Sequence, residues 1–144
     1  MNVEAILKTK GDKVVTVTPE TVIGEATKIL KRARIGALVV SDDGSKVQGI
    51  LSERDIVSAL GDPTKRSGLL KSSASSLMTR EVLTCMPEDT VEKCMVLMSE
   101  RRIRHLPVVR EDRLIGLISI GDVVKNRLEE LEREAGFLRE LITG

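Results

Sequence analysis

Apolar and polar positions along this chain follow two rhythms, and the switches between them mark the elements. Val14–Thr18 is a β-branched run with strand alternation. Pro19-Glu20-Thr21 stops it, and Thr21 is placed to cap a helix. Ile23, Ala26, Leu30 and Ala33 then recur three to four apart, which predicts an amphipathic helix over 22–33. Ala37–Val40 reads as a short buried strand, Asp42-Asp43-Gly44-Ser45 as a turn, and Val47–Leu51 as a second strand. Ser52 opens a helix that carries Ile56, Val57 and Leu60. The rhythm breaks over 61–76, where Gly61, Pro63, Gly68 and five serines read as a linker, partly ordered at most. It resumes with a strand at 82–86, a helix at 90–101, strands at 105–109 and 114–118, and a helix from Asp122.

The second series repeats the first. Shifting 84–108 back by 68 positions sets Thr84 on Thr16, Pro87 on Pro19, Arg102 on Arg34, Leu106 on Leu38 and Val108 on Val40. One residue fewer in the loop makes the shift 67, and Gly116, Ser119 and Asp122 fall on Gly49, Ser52 and Asp55. Each copy runs β-α-β-β-α and is too small to bury its apolar face alone, so the two must pack together. The expected fold is α+β, close to an α/β sandwich, with the repeats related by a pseudo-two-fold axis and clefts between them. The expected divisions are a lead at 1–13, repeats at 14–60 and 79–125, a linker at 61–78, and a helical extension at 126–144.

The flanks add two helices. Val3, Ile6 and Leu7 suggest a short one at the start. The last helix overshoots its counterpart and runs to about Ile142, with Val124, Leu128, Leu131, Ala135, Leu138 and Ile142 three to four apart. Its opposite face carries Glu129, Glu130, Glu132, Arg133 and Glu134. Such a helix either lies on its own domain or pairs with another subunit.

Composition narrows the function. The 144 residues are 41% hydrophobic, enough for a core, and contain one Phe and no Trp or Tyr. Lys and Arg number 23 against 22 Asp and Glu, so there is neither the charge excess nor the aromatic platform that nucleic-acid binding favours. No apolar run approaches the ~20 residues of a membrane span. Met1-Asn2-Val3-Glu4 does not resemble a secretory signal, so the expected location is the cytoplasm. Cys85 and Cys94 lie in no metal-type cluster and are expected to be small buried hydrophobes.

The candidate chemistry sits where a strand meets a helix. Gly49-Ile50-Leu51-Ser52-Glu53-Arg54-Asp55 and Gly116-Leu117-Ile118-Ser119-Ile120-Gly121-Asp122 each deliver a Ser and an Asp to a helix start. Free backbone N–H groups and the positive dipole end there favour an anion such as phosphate. The Ser hydroxyl can donate to it, and the carboxylate can accept from two neighbouring hydroxyls such as a ribose diol. The absent side chain at Gly49 or Gly116 would let a ring approach the backbone. The same Ser-x-x-Asp is also a capping box that needs no ligand. Arg101-Arg102-Ile103-Arg104-His105-Leu106-Pro107 places cations beside the second copy, where Arg104 and His105 suit phosphate. Gly36 and Ala37 stand at those positions in the first copy. A single His, no nucleophile with a base beside it and no Walker-type loop lower the expectation of catalysis.

Taken together, Thr16–Val22, Arg34–Val40 and Gly49–Val57, repeated as Thr84–Val91, Arg102–Val109 and Gly116–Val124, resemble a tandem pair of cystathionine-β-synthase (CBS) domains, or Bateman module. The resemblance covers about residues 10–125 and looks like the small stand-alone signal-transduction-type proteins of bacteria and archaea. It implies a non-catalytic regulatory module without a catalytic cofactor, whose clefts bind an adenosine ligand: AMP, ADP, ATP, NAD or S-adenosylmethionine. On that analogy Asp55 and Asp122 hold ribose hydroxyls, and Ser52 and Ser119 sit near ribose or phosphate. Thr16, Thr18, Thr84 and Met86 line the adenine; Arg104 and His105 meet phosphate, with Pro107 beside them and Gly49 and Gly116 giving access. It also implies a homodimer and a regulated partner protein. The first copy departs from the family's Leu-Pro-Val with Leu38-Val39-Val40 and lacks the cations, so its phosphate site is expected to be the poorer. Two other readings stand beside this one: an interaction scaffold whose Ser-x-x-Asp motifs are only caps, and a weak nucleotide-processing enzyme.

Overall fold

A computed structural model of the chain describes residues 1–11 and 13–143. In chain order the elements are α1 (Val3–Lys10), β1 (Thr16–Val17), α2 (Ile23–Ala33), β2 (Ala37–Val40), β3 (Gly49–Ser52), α3 (Glu53–Leu60) and α4 (Pro63–Arg66). A 3-10 turn (Leu69–Lys71), α5 (Ala74–Leu77), α6 (Val91–Arg101), β4 (His105–Arg110), β5 (Arg113–Ser119) and α7 (Ile120–Thr143) follow. The class is α+β. The chain divides into two compact units, one of Lys13–Leu83 with Arg110–Ile115, the other of Met1–Asp12 with Thr84–Val109 and Gly116–Gly144.

In the first-repeat unit β1, β2 and β3 form a sheet in that order, β1 parallel and β3 antiparallel to β2. All four residues of β2 are buried, as a central strand of aliphatic residues requires. Ile23, Ala26 and Leu30 close α2 onto the sheet together with Leu38, Val40 and Leu51, and Ala33 is exposed. Thr21 does not cap α2. Its hydroxyl instead accepts from the Thr18 N–H at 3.1 Å and fixes the turn around Pro19. Arg34 ends α2 in the left-handed region at φ 54°, and Arg102 ends α6 the same way at φ 53°. The recurring Arg-Ile pair therefore marks a helix stop.

The serine-rich stretch is ordered, contrary to the expected loose linker. Short helical turns fill it, and Leu69 and Ala74 are buried in the first repeat's core. Ser72 to Thr79 threads along that repeat: Ile23 N–H donates to Ser72 O (2.8 Å), Ala74 N–H to Thr21 O (2.7 Å) and Ser75 N–H to Pro19 O (3.0 Å). Thr79 then exchanges two backbone hydrogen bonds with Ile50, at 2.9 and 3.0 Å, on the edge of β3.

The second-repeat unit makes the same arrangement with the N-terminus of the chain. Val91 N–H donates to Met1 O (3.1 Å), Val3 N–H to Asp89 O (2.9 Å) and Glu4 N–H to Pro87 O (3.0 Å). These three bonds map onto the previous three when 1–4 is matched to 72–75, a shift of 71. Asn2 caps α1 by accepting from Ala5 N–H at 3.1 Å, and Val3, Ile6 and Leu7 are buried. The N-terminal helix thus belongs to the second-repeat unit. The strand expected at 82–86 reduces to Cys85 alone, which pairs in parallel with Val108. Asp89 Oδ2 accepts from the Met86 N–H at 2.8 Å and turns the chain away before a longer strand can form. Cys85 and Cys94 are free and buried. Their mutual hydrogen bond, then burial, pushes the Cys85 thiol up, so it stays protonated. β4 and β5 form a two-stranded sheet whose turn residues, Glu111 and Asp112, take φ of 49° and 61°. A two-residue hairpin demands that pair of left-handed conformations.

Candidate functional site

Each repeat brings its Ser and Asp together at one helix start. Ser52 N–H donates to Asp55 Oδ2 at 2.9 Å, and Ser52 Oγ donates to the same oxygen at 3.0 Å. Asp55 N–H returns a bond to Ser52 Oγ at 3.3 Å, which completes a capping box. In the second repeat Ser119 N–H donates to Asp122 Oδ2 at 2.8 Å, and Asp122 N–H to Ser119 Oγ at 3.2 Å. A further backbone donor is taken up at each start. Glu53 N–H donates to Gly36 O at 3.0 Å, and Ile120 N–H to Arg104 O at 2.8 Å. The helix starts therefore hold fewer free N–H groups for an anion than the sequence alone suggests.

The Ile120–Arg104 bond also brings two predicted groups side by side. It sets the Arg104 backbone against Ile120, which lies between Ser119 and Asp122 in the chain, within one unit. In the first repeat Gly36 occupies the place of Arg104, so that neighbourhood has no equivalent cation. Thr16 is half-buried on β1 opposite Val39; Thr18, Thr84 and Met86 are exposed. Pro107 is buried, and its carbonyl accepts from Cys85 N–H at 3.0 Å.

The two glycines serve packing. A Cβ at Gly49 would stand 2.8 Å from Met78 Cγ and in contact with its Sδ. One at Gly116 would stand 2.5 Å from Leu7 Cδ2. The space that the sequence suggests for a ring is filled by the side chain that each preceding segment inserts. Met78 and Leu7 are again related by the shift of 71.

One site residue was not foreseen. Lys10 Nζ donates to Asp122 Oδ2 at 2.7 Å and to Leu117 O at 2.8 Å. Partial burial works against the Asp122 charge, but the Lys10 ammonium and the Ser119 amide outweigh it and hold the carboxyl below its usual 3.8. The pair is 38% and 25% exposed, which keeps its contribution modest. A depressed carboxyl stabilises the fold above the unfolded-state value and loses that effect as pH falls through the folded-state value. Asp122→Asn is therefore expected to cost about 1 kcal/mol at pH 7. Below pH 4 the difference from the wild type should close. Urea melts at pH 7 and pH 3 measure both, and an equal deficit at the two pH values would contradict it. No local signal could reveal Lys10, because 112 positions separate it from Asp122.

Among the described residues no group of His, Cys, Asp and Glu is placed to hold a metal ion, and no helix is long and apolar enough to cross a membrane. A helix, two antiparallel strands and a second helix present twice, each closing on a Ser-x-x-Asp helix start, define a class of small duplicated α+β proteins. The chain belongs to the CBS-domain family, whose model matches residues 3–62 and 74–129. Those matches begin at Val3 and Ala74, the positions that the shift of 71 relates.

Among curated relatives, the mitochondrial CBS domain-containing protein CBSX3 of Arabidopsis thaliana is 34% identical over 88% of this chain. The chain spans 63% of that protein's length. CBS domain-containing protein YhcV of Bacillus subtilis is 31% identical, with 86% of each chain covered. Among solved structures, the CBS-domain containing protein ATU1752 from Agrobacterium tumefaciens superposes with a TM-score of 0.83 at 44% identity, over 88% of this chain and 99% of that one. The CBS domain pair of protein MJ0100 was solved in complex with methylthioadenosine and S-adenosyl-L-methionine. It has a TM-score of 0.78 at 27% identity, over 90% and 98% of the two chains. CBSX2, solved in complex with AMP, has a TM-score of 0.70 at 29% identity, over 81% and 88%.

Proposed function

We propose that this protein is a non-catalytic cytosolic sensor that binds an adenosine-containing ligand and passes its occupancy to a partner protein. The observation that carries the reading is the matched pair of carboxylates. In each repeat the Asp side chain accepts from its Ser through Oδ2. With the carboxylate so fixed, Oδ1 would accept from a ribose hydroxyl. Relatives solved with AMP or with S-adenosyl-L-methionine support adenosine as the common element. Arg104 and His105 would meet the charged tail of a nucleotide bound at Asp122. Thr16, Thr18, Thr84 and Met86 would flank the base.

The ligand itself is AMP, ADP, ATP, NAD or S-adenosylmethionine in this proposal, and the cations favour a phosphorylated one at the second repeat. A ligand changes what the partner reads only through different affinities for two states of the protein. The scaffold reading has its own support, since the capping boxes already give both Asp residues a structural role.

Calorimetry with AMP, ATP, NAD and S-adenosylmethionine separates the two. Asp55→Asn and Asp122→Asn keep an oxygen at the cap and remove the charge. At least one ligand should bind, and at least one variant should weaken it by about tenfold or more, as losing a hydrogen bond to a charged group implies. Bound ATP should be recovered unchanged. If no ligand binds, or both variants bind as the wild type does, the motifs are caps and the sensor reading fails.

A further inference from the structure

The exposed seam of α7 specifies its own partner. Val124, Leu128, Leu131, Leu138 and Ile142 stand between 39% and 85% exposed, with the highest value at Ile142. With Ala135 they recur at alternating steps of four and three, the a/d spacing of a coiled coil, with Leu128, Ala135 and Ile142 at a and Val124, Leu131 and Leu138 at d. The span 124–142 is about 28 Å long at ~1.5 Å per residue. Helices in proteins draw most of their stability from packing, and α7 is rooted in its unit by buried Val123 and by the Met1 ammonium on Glu130 Oε1 at 2.8 Å.

The flanking charges choose both the partner and the direction. Position e holds Lys125, Glu132 and Arg139; position g holds Arg127, Glu134 and Leu141. In a parallel pair each g residue faces the e residue five positions on in the other helix. That sets Arg127 against Glu132 and Glu134 against Arg139 of a second copy, both of opposite sign. Arg127 Nη1 already serves Glu130 (2.9 Å) and Glu92 (3.1 Å), and its remaining donors can reach outward. An antiparallel pair centred between 129 and 130 also matches Lys125 with Glu132 and Arg127 with Glu134. It gives Arg139 no acid, however, and leaves Ile142, the most exposed seam residue, beyond the paired length.

We infer that residues 124–142 of α7 pair in register with α7 of a second copy as a parallel two-stranded coiled coil. The inference does not depend on any ligand. Light scattering on the full chain reads the dimer, and oxidation of Ile142→Cys reads its direction. The wild type should be a dimer. Leu131→Arg with Leu138→Arg should be a monomer with unchanged circular dichroism, because those side chains are exposed within one chain. Glu134→Arg and Arg139→Glu should each weaken the dimer at least tenfold, and the double exchange should restore it. Ile142→Cys should give a covalent dimer under mild oxidation, since Cys85 and Cys94 are buried. A monomeric wild type, or a dimer untouched by the arginine pair, overturns the inference. So does a harmless Arg139→Glu together with no cross-link through position 142.

Discussion

Removing residues 1–10 is expected to collapse the second repeat. The truncation deletes α1, whose Val3, Ile6 and Leu7 are buried against the elements of that unit. Burying each such side chain contributes about 1.5–3 kcal/mol, so the three together supply roughly 4.5–9 kcal/mol. Entire domains are stable by about 5–15 kcal/mol. Three backbone hydrogen bonds from 1–4 to 87–91 go with them, as does the Lys10 contact to Asp122. Hydrogen exchange should show lost protection through α6 and β4. A milder variant, Ile6→Ala, should cost about 2–4 kcal/mol by cavity formation. A truncated chain that melts with the wild type would show α1 to be an accessory.

The second large effect is expected at Gly49. Its φ lies outside the left-handed region, so Ala would ordinarily suit a strand better than Gly there. Steric conflict is the only objection. The new Cβ meets Met78 Sδ and Cγ, and the Thr79 carbonyl at 3.1 Å is tied to Ile50 and cannot retreat. Gly49→Ala should cost about 1–3 kcal/mol, the range for overfilling a packed site. In a Met78→Ala background the same change should cost markedly less, with only the tight approach to the Thr79 carbonyl remaining, a coupling that a double-mutant cycle reads directly. An additive cycle would mean that Met78 is not what Gly49 accommodates.

Much of this fold was legible because both repeats write it in aliphatic residues at fixed spacing. Ile23, Ala26 and Leu30 announced α2, and the unbroken run of Ala37–Val40 announced a buried strand. The Ser and Asp of each helix start were found together because three residues of helix connect them. The serine-rich segment was misread because its composition hides its spacing. Ala74, Leu77 and Met78 stand as far apart as Val3, Ile6 and Leu7, and that parallel was the available signal. Thr21 was misread as a cap because a hydroxyl before a helix can serve the strand end behind it just as well. Lys10 and the closure at Gly116 were out of reach, since both depend on the start of the chain meeting its far end.

That meeting has a consequence for how the polypeptide is made. Residues 1–10 leave the ribosome well before the strands and helix they complete. About 74 residues, from Lys10 to Thr84, must be synthesised in between. At roughly 5–20 residues per second that is a delay of several seconds. During it Ser72–Thr79 can already seat on the finished first repeat, while Val3, Ile6 and Leu7 wait with their greasy side unsheltered. Nascent chains stalled after about residue 83 should accordingly present this N-terminal segment to chaperones, and full-length chains should not.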